Sequence, residues 1–186
     1  MKYNPEKHHR RSIRLKGYDY SQPGWYFVTV VAQNRDCLFG EIADGEMLLN
    51  EIGIIVRDEW IKTAEIRPEI RLDEYIIMPN HIHGIIIIVD DNRRHATGRG
   101  DPRGTPTRPV APTIKPGPKP KSIGSIMAGF KSAVTKRVNA YRGAPGQKLW
   151  QRNYWEHIIR NEIELNRIRN YIINNPKNWD EDRFYF

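Results

Sequence analysis

A chain of 186 residues is long enough for one packed domain, and its single cysteine, Cys37, excludes an internal disulfide and any zinc site built on cysteines. Its formal charge of +8 and pI of about 9.6 suit a polyanionic partner, most simply nucleic acid. No apolar run approaches a membrane span, and the basic N-terminus lacks the apolar stretch of a signal peptide, so a cytoplasmic setting without membrane partners is expected.

Residues 1–22 read as a basic arm, in which Arg10, Arg11, Arg14 and Lys16 suit phosphates. The remaining residues, 23–186, read as the domain. β-Branched and aromatic residues predict a first strand over 25–32, ended by Asn34-Arg35-Asp36. Asn50 caps a predicted helix reaching about Lys62, with Ile52, Val56, Glu59 and Trp60 at helical spacing. Two strands follow, over 72–78 and 81–89, joined at Pro79-Asn80. The stretch 90–120 is rich in proline, glycine and arginine and poor in apolar residues, and reads as a flexible basic linker interrupting the domain.

Beyond it Ser122 caps a helix whose Ile126, Phe130, Val134 and Val138 recur every four residues. Lys131, Lys136 and Arg137 lie off that stripe and are expected to face solvent or DNA. A strand is predicted over 149–159, carrying Trp150, Tyr154, Trp155 and His157. A last helix starts at Asn161, with Glu164 as capping-box partner, and stops at Pro176. The first six of these elements match an α+β fold, a ferredoxin-like αβ sandwich with helices on one face of an antiparallel sheet. The other face, or its edge, is left for a site.

His81 and His83 carry the strongest chemical signal. Strand side chains alternate, so both imidazoles share a face while Ile82 points away, and two histidines on one face can share a metal ion. Ordinary half-buried histidines are the alternative, but polar rings beside four consecutive isoleucines need partners. In the last helix, Tyr171 and Asn175 are one turn apart and face the same way. A phenol near a metal-held phosphate, with Asn175 as a third oxygen ligand, is a coherent nucleophilic site. Tyr141 and Tyr154 compete as nucleophiles, but neither has a ligand-capable side chain four residues later. His157 and Glu156 are candidates for orienting a ligand, whereas His8, His9 and His95 suggest no site.

The frame Met78-Pro-Asn-His-Ile-His-Gly84 resembles the histidine-hydrophobic-histidine motif of HUH single-tyrosine transposases. The whole chain is similar to their REP-associated tyrosine transposase branch, found in bacteria. The similarity rests also on residues 11–20, 33–40 and 149–161, on Tyr171-Ile-Ile-Asn-Asn-Pro176 and on Trp179, and spans nearly everything but the linker. It implies an HUH nuclease fold with a C-terminal tyrosine-bearing helix, which binds single-stranded DNA next to a REP-like hairpin and cleaves it with Mg²⁺ or Mn²⁺. It further implies His81 and His83 as metal ligands, Asn175 as the third, and Tyr171 as the nucleophile that becomes joined to a 5′-phosphate. A monomer is favoured over a dimer.

Such an enzyme would be a DNA transposase, a single-strand endonuclease and strand transferase. Tyr18, Tyr20 and Trp25 could stack on unpaired bases or pack the arm onto the domain. Two other functions stay open on the sequence. One is a domesticated regulator that binds the same repeats without cleaving them in the cell. The other is a metal-dependent hydrolase in which water attacks and Tyr171 is structural.

Overall fold

The structure is a computed structural model that describes residues 15, 17–89 and 118–185. The basic-arm residues Arg10, Arg11, Arg14 and Lys16 and most of the expected linker lie outside these residues. In chain order the elements are β1 (Gly24–Val31), β2 (Gly40–Ala43), β3 (Glu46–Leu49), α1 (Glu51–Glu65), β4 (Ile70–Met78), β5 (His81–Ile88), α2 (Ile123–Arg142), β6 (Trp155–Ile159) and α3 (Glu162–Asn174). Short 3₁₀ helices follow β1 and α3, at Gln33–Arg35 and Pro176–Glu181.

The main sheet runs β4-β5-β1-β6, and every pairing in it is antiparallel. Together with α1 and α2 this is the expected ferredoxin-like αβ sandwich. Alternation divides β1 and β5 between two environments. Tyr26, Val28, Val30, Ile82 and Ile86 join Val56, Trp60, Phe130 and Val134 of α1 and α2 in the main core. The opposite face carries a smaller cluster, in which Ile85 and Ile159 pack on Leu165, Ile168 and Ile172 of α3, with Trp25, Phe27 and Ile76 at its edge.

Caps follow the local sequence. Asn50 Oδ1 accepts from the amides of Ile52 and Gly53, Ser122 Oγ from that of Ser125, and Asn161 Oδ1 from that of Glu164. Glu164 does not close the expected box on Asn161. Its Oε2 accepts instead from the Arg160 amide at 2.9 Å, and its Oε1 lies 2.8 Å from His157 Nε2.

Two local readings change. The strand expected over 149–159 begins only at Trp155. Residues 149–151 instead lie against the end of β1, where Gln33 N donates to Leu149 O, Gln151 N donates to Val31 O, and Ala32 bridges Trp150. The β2–β3 hairpin was not foreseen, although its turn is the dipeptide Asp44-Gly45, with φ of 53° and 74°. Two successive positive φ values suit the tight hairpin turn that Asp-Gly favours.

Gly84 fixes how closely the sheet meets α1, because a Cβ there would stand 2.4 Å from Trp60 Cζ2. α3 is held to β4 by Arg169, whose Nε donates to Asp73 Oδ1 at 2.8 Å while its Nη2 donates to Oδ2. Asp73 lies in the register shift of β4 between Leu72 and Tyr75. Among the described residues no helix is long and apolar enough to cross a membrane.

Candidate active site

The site lies at the end of the sheet where β1 finishes and β5 begins, on the face covered by α3. Pairing of Val31 with His81 and Thr29 with His83 sets both imidazoles on this face. Both are buried, at 0 % and 1 % exposure, with ring centroids 4.4 Å apart. Each is oriented through Nδ1. His81 Nδ1 lies 2.8 Å from Asn80 Oδ1, and Asn80 Nδ2 donates to the carbonyls of Arg35 and Phe184, both at 3.0 Å. With the amide nitrogen committed to two carbonyls, its oxygen must accept, so the proton of His81 sits on Nδ1. Its Nε2 is a buried lone pair with no hydrogen-bond partner. His83 Nδ1 lies 2.7 Å from Thr29 Oγ1.

α3 and the turn after it bring up the remaining groups. Tyr171 Oη lies 3.1 Å from His83 Nε2 and donates to Asp182 Oδ2 at 3.2 Å. Asn175, buried where α3 ends, donates through Nδ2 to the same carboxylate oxygen at 3.0 Å, while its Oδ1 is buried without a partner. Pro176 begins the 3₁₀ turn that sends the chain back over the histidines. Trp179 and Phe184 then pack on His81, with centroids at 5.9 and 4.7 Å.

Burial pushes His81 down to about 4, against the opposing pull of Asp182. It also holds His83 well below the ordinary histidine range, reinforced by His81 and Arg183. Both rings are therefore neutral at pH 7 and need lose no net charge to bind a cation. Burial, with the charge of Asp182, lifts Tyr171 to about 12, so the phenol keeps its proton in the metal-free site.

The donor set fits a divalent metal. Ligand atoms of His81, His83 and Asp182 all lie within 4.8 Å of one another. Atoms on opposite sides of one ion stand about 4 Å apart, so one ion could be shared with little movement. The unpartnered His81 Nε2 and Asn175 Oδ1 are what a site built for a cation would leave.

The structure thus brings together His81, His83, Tyr171 and Asn175, as the sequence predicts, and adds Asp182. Its only signal in the sequence is the acidic run Asp180-Glu181-Asp182 in a basic chain, which gives no hint that the tail folds back. Other expectations change. Glu156 pairs with Val28 on the opposite face of the sheet, so it cannot orient the two imidazoles, which Asn80 and Thr29 hold instead. His157 holds Glu164 at the start of α3 and is absent from the hydrogen bonds that orient His81 and His83.

The α2 cations do not simply face solvent. Lys131 donates to the carbonyls of Gln151 and Arg152, and its burial lowers it to about 8. Arg137 pairs with Glu59 at 2.8 Å, and Lys136 is exposed at the rim of a groove of about 530 Å³. Tyr18 and Tyr20 pack the arm onto the main core, with Tyr18 Oη 3.2 Å from Tyr26 Oη, and Trp25 is half-buried beside α3. Of the competing tyrosines, Tyr141 is exposed near the end of α2 and Tyr154 packs on the main core.

No protein-family model matches the chain. An uncharacterized protein of Haemophilus influenzae is 41% identical over 184 residues, which is 99% of this chain and 97% of that protein. A second Haemophilus influenzae protein, described as "Putative REP-associated tyrosine transposase", is 26% identical over 158 residues, covering 85% of this chain and 73% of its own length. The chain is thus similar to a REP-associated tyrosine transposase over most of its length. Among solved structures, a REP-associated tyrosine transposase bound to a REP hairpin matches the fold with a TM-score of 0.57, at 20% identity, over 89% of this chain and 74% of the other. The antiparallel sheet and its helices therefore share the fold of that transposase.

Proposed function

We propose that this protein is a DNA transposase, a metal-dependent single-strand DNA endonuclease and strand transferase, which acts at hairpin-flanked repeats through a 5′-phosphotyrosine intermediate. The observation that carries the reading is the convergence of the Tyr171 hydroxyl, 3.1 Å from His83 Nε2, with the buried His81, His83 and Asp182 ligand cluster. The hairpin-bound fold relative and the net charge of +8 support DNA as the partner.

His81 and His83, with Asp182 and the free oxygen of Asn175, would hold Mg²⁺ or Mn²⁺. The mixed nitrogen and oxygen donors suit Mn²⁺ better than Mg²⁺. When bound, the ion supplies Lewis-acid polarisation of the scissile phosphate and stabilises charge in the transition state. Tyr171, 43 % exposed, is open to a strand arriving from solvent. Its oxygen attacks phosphorus, a bond forms from Oη to the 5′-phosphate, and the bond to the preceding 3′-oxygen breaks, releasing a 3′-hydroxyl. Asp182 Oδ2, already the acceptor of the phenolic hydrogen bond, takes the phenolic proton, and the departing 3′-oxygen takes its proton from solvent. The phosphodiester is conserved as an ester on Tyr171, so a later 3′-hydroxyl can reverse the step and join strands.

The test uses a labelled single-stranded hairpin oligonucleotide drawn from DNA flanking the gene, with Mn²⁺ or EDTA, followed by a denaturing gel and intact mass. The wild type should form a metal-dependent protein–DNA adduct, and Tyr171→Phe none. Cleavage without adduct, unchanged by that substitution, would identify water as the nucleophile. Tight binding without cleavage would identify a repeat-binding regulator.

A further inference from the structure

Beside Tyr171 the site opens onto β6, the edge strand of the sheet. Across β6, β1 and β5 the residues Trp155, Thr29 and His83 form one row, so Trp155 shares the catalytic face. Trp155 is 46 % exposed, whereas Trp60, Trp150 and Trp179 are buried. The side chain covering it is a cation. Arg183 Cζ lies 4.7 Å from the Trp155 ring centroid and 4.6 Å from that of Phe184, which itself packs on His81. Among the described residues the Arg183 guanidinium has no carboxylate partner, and the contacts it makes are with these two rings.

The Trp155 ring leaves apolar surface in water, and the cation gains only a stacking contact. The same pair matches a nucleotide. A flat aromatic face accepts any base by stacking, and a guanidinium accepts the phosphate attached to it.

We propose that Trp155 and Arg183 form a nucleotide subsite, in which Arg183 swings off the indole to contact the phosphate of an unpaired nucleotide adjoining the scissile phosphate, and the base of that nucleotide stacks on the ring in its place. The inference rests on the single-strand DNA reading of the site. It assigns to the edge of the sheet the task of presenting the strand to Tyr171. Trp155 is then a positioning residue that fixes which phosphate the phenol meets, and stacking makes it tolerant of base identity. Arg183 comes from the same returning tail as Asp182, so the tail contributes both to holding the strand and to the ligand cluster.

The experiment is binding of full-length protein carrying Tyr171→Phe, which separates binding from chemistry, to the hairpin oligonucleotide with 2-aminopurine placed in turn at each unpaired position around the cleavage point. Adduct formation by the otherwise wild-type protein is measured in parallel. One position should be quenched on binding. Trp155→Ala should abolish that quenching and weaken affinity by about 5- to 150-fold, the range for one stacked base. Trp155→Phe should restore much of both, and Arg183→Ala should weaken affinity and flatten its salt dependence.

A merely structural tryptophan would lower thermal stability without a position-specific quench. If the wild type forms adduct but no position is quenched, or Trp155→Ala binds as tightly as its parent, the subsite is overturned while the nuclease reading stands. Unchanged DNA affinity with concentration-dependent self-association lost in Trp155→Ala would assign the indole to a second copy of the chain and also overturn it. Absence of adduct with a Trp155-dependent quench would overturn the nuclease reading and retain the subsite.

Discussion

The two faces of one sheet are built from the same strands to opposite ends. On the α1–α2 face, β5 contributes Ile82, Gly84 and Ile86, and Gly84 is small enough for Trp60 to lie against the backbone. On the α3 face the same strand contributes His81 and His83, whose ring nitrogens are either bonded to Asn80, Thr29 and Tyr171 or left without a partner. One face gains stability from apolar area removed from water. The other bears the cost of buried polar groups to gain a preorganised site. Alternation along β5 makes the rigid face the mount for the polar one, because Ile82 between the two histidines and Gly84 after them lie against the main core.

The comparison can be broken from either side. The largest effect is expected on the site face. His83→Ala should eliminate adduct formation and the rise in melting temperature that Mn²⁺ gives the wild type, with the metal-free protein still folded by circular dichroism. At a hundredfold excess over its dissociation constant a native-state ligand contributes about 2.7 kcal/mol, enough to read as a melting shift. A variant that kept its Mn²⁺ response would place the ion elsewhere.

The next effect belongs to the core face. Ile86→Ala should cost about 2–5 kcal/mol in urea denaturation and leave adduct yield per folded molecule unchanged at low temperature. A loss of adduct larger than the loss of folded protein would mean that the faces are coupled more tightly than alternation requires.

A third effect is the pH dependence of the metal-free protein, because the site face is costly to fold around at low pH. His81 titrates near 6.5 when unfolded and at about 4 in the folded chain. Between these values the unfolded chain binds a proton that the folded chain refuses, so stability falls as pH drops from 6.5 to 4 and then levels. The loss from His81 alone is roughly 3 kcal/mol, and His83 shifts in the same direction. Denaturation with EDTA across that window should show the slope, and His81→Gln should remove much of it. A flat profile in the wild type would mean that the rings are far better hydrated than their burial implies.

Much of this organisation was legible in the chain. Helix starts at Asn50, Ser122 and Asn161 follow from capping chemistry, which is local. The pairing of Tyr171 with Asn175, and of His81 with His83, follows from the periods of helix and strand. The Asp44-Gly45 hairpin was equally local, and its turn dipeptide was the available signal. The late start of β6 was not legible, since Trp150 and Tyr154 have strand-like side chains but are held by contacts with the end of β1 and with the main core.

The sequence by itself determined the order of the main-sheet strands and their helices, the face of β5 that bears the histidines and the helical stripe that bears the tyrosine, because each depends on a period of two or about four residues. Only the tertiary structure decided what meets across those elements. Asp182 reaches the histidines because the chain turns back after Pro176, and Arg169 reaches Asp73 from 96 positions away. Asn80 and Thr29, rather than Glu156, orient the rings because sheet register sets which side chains share a face. Such contacts depend on long-range closure of the fold, which leaves no period in the chain to read.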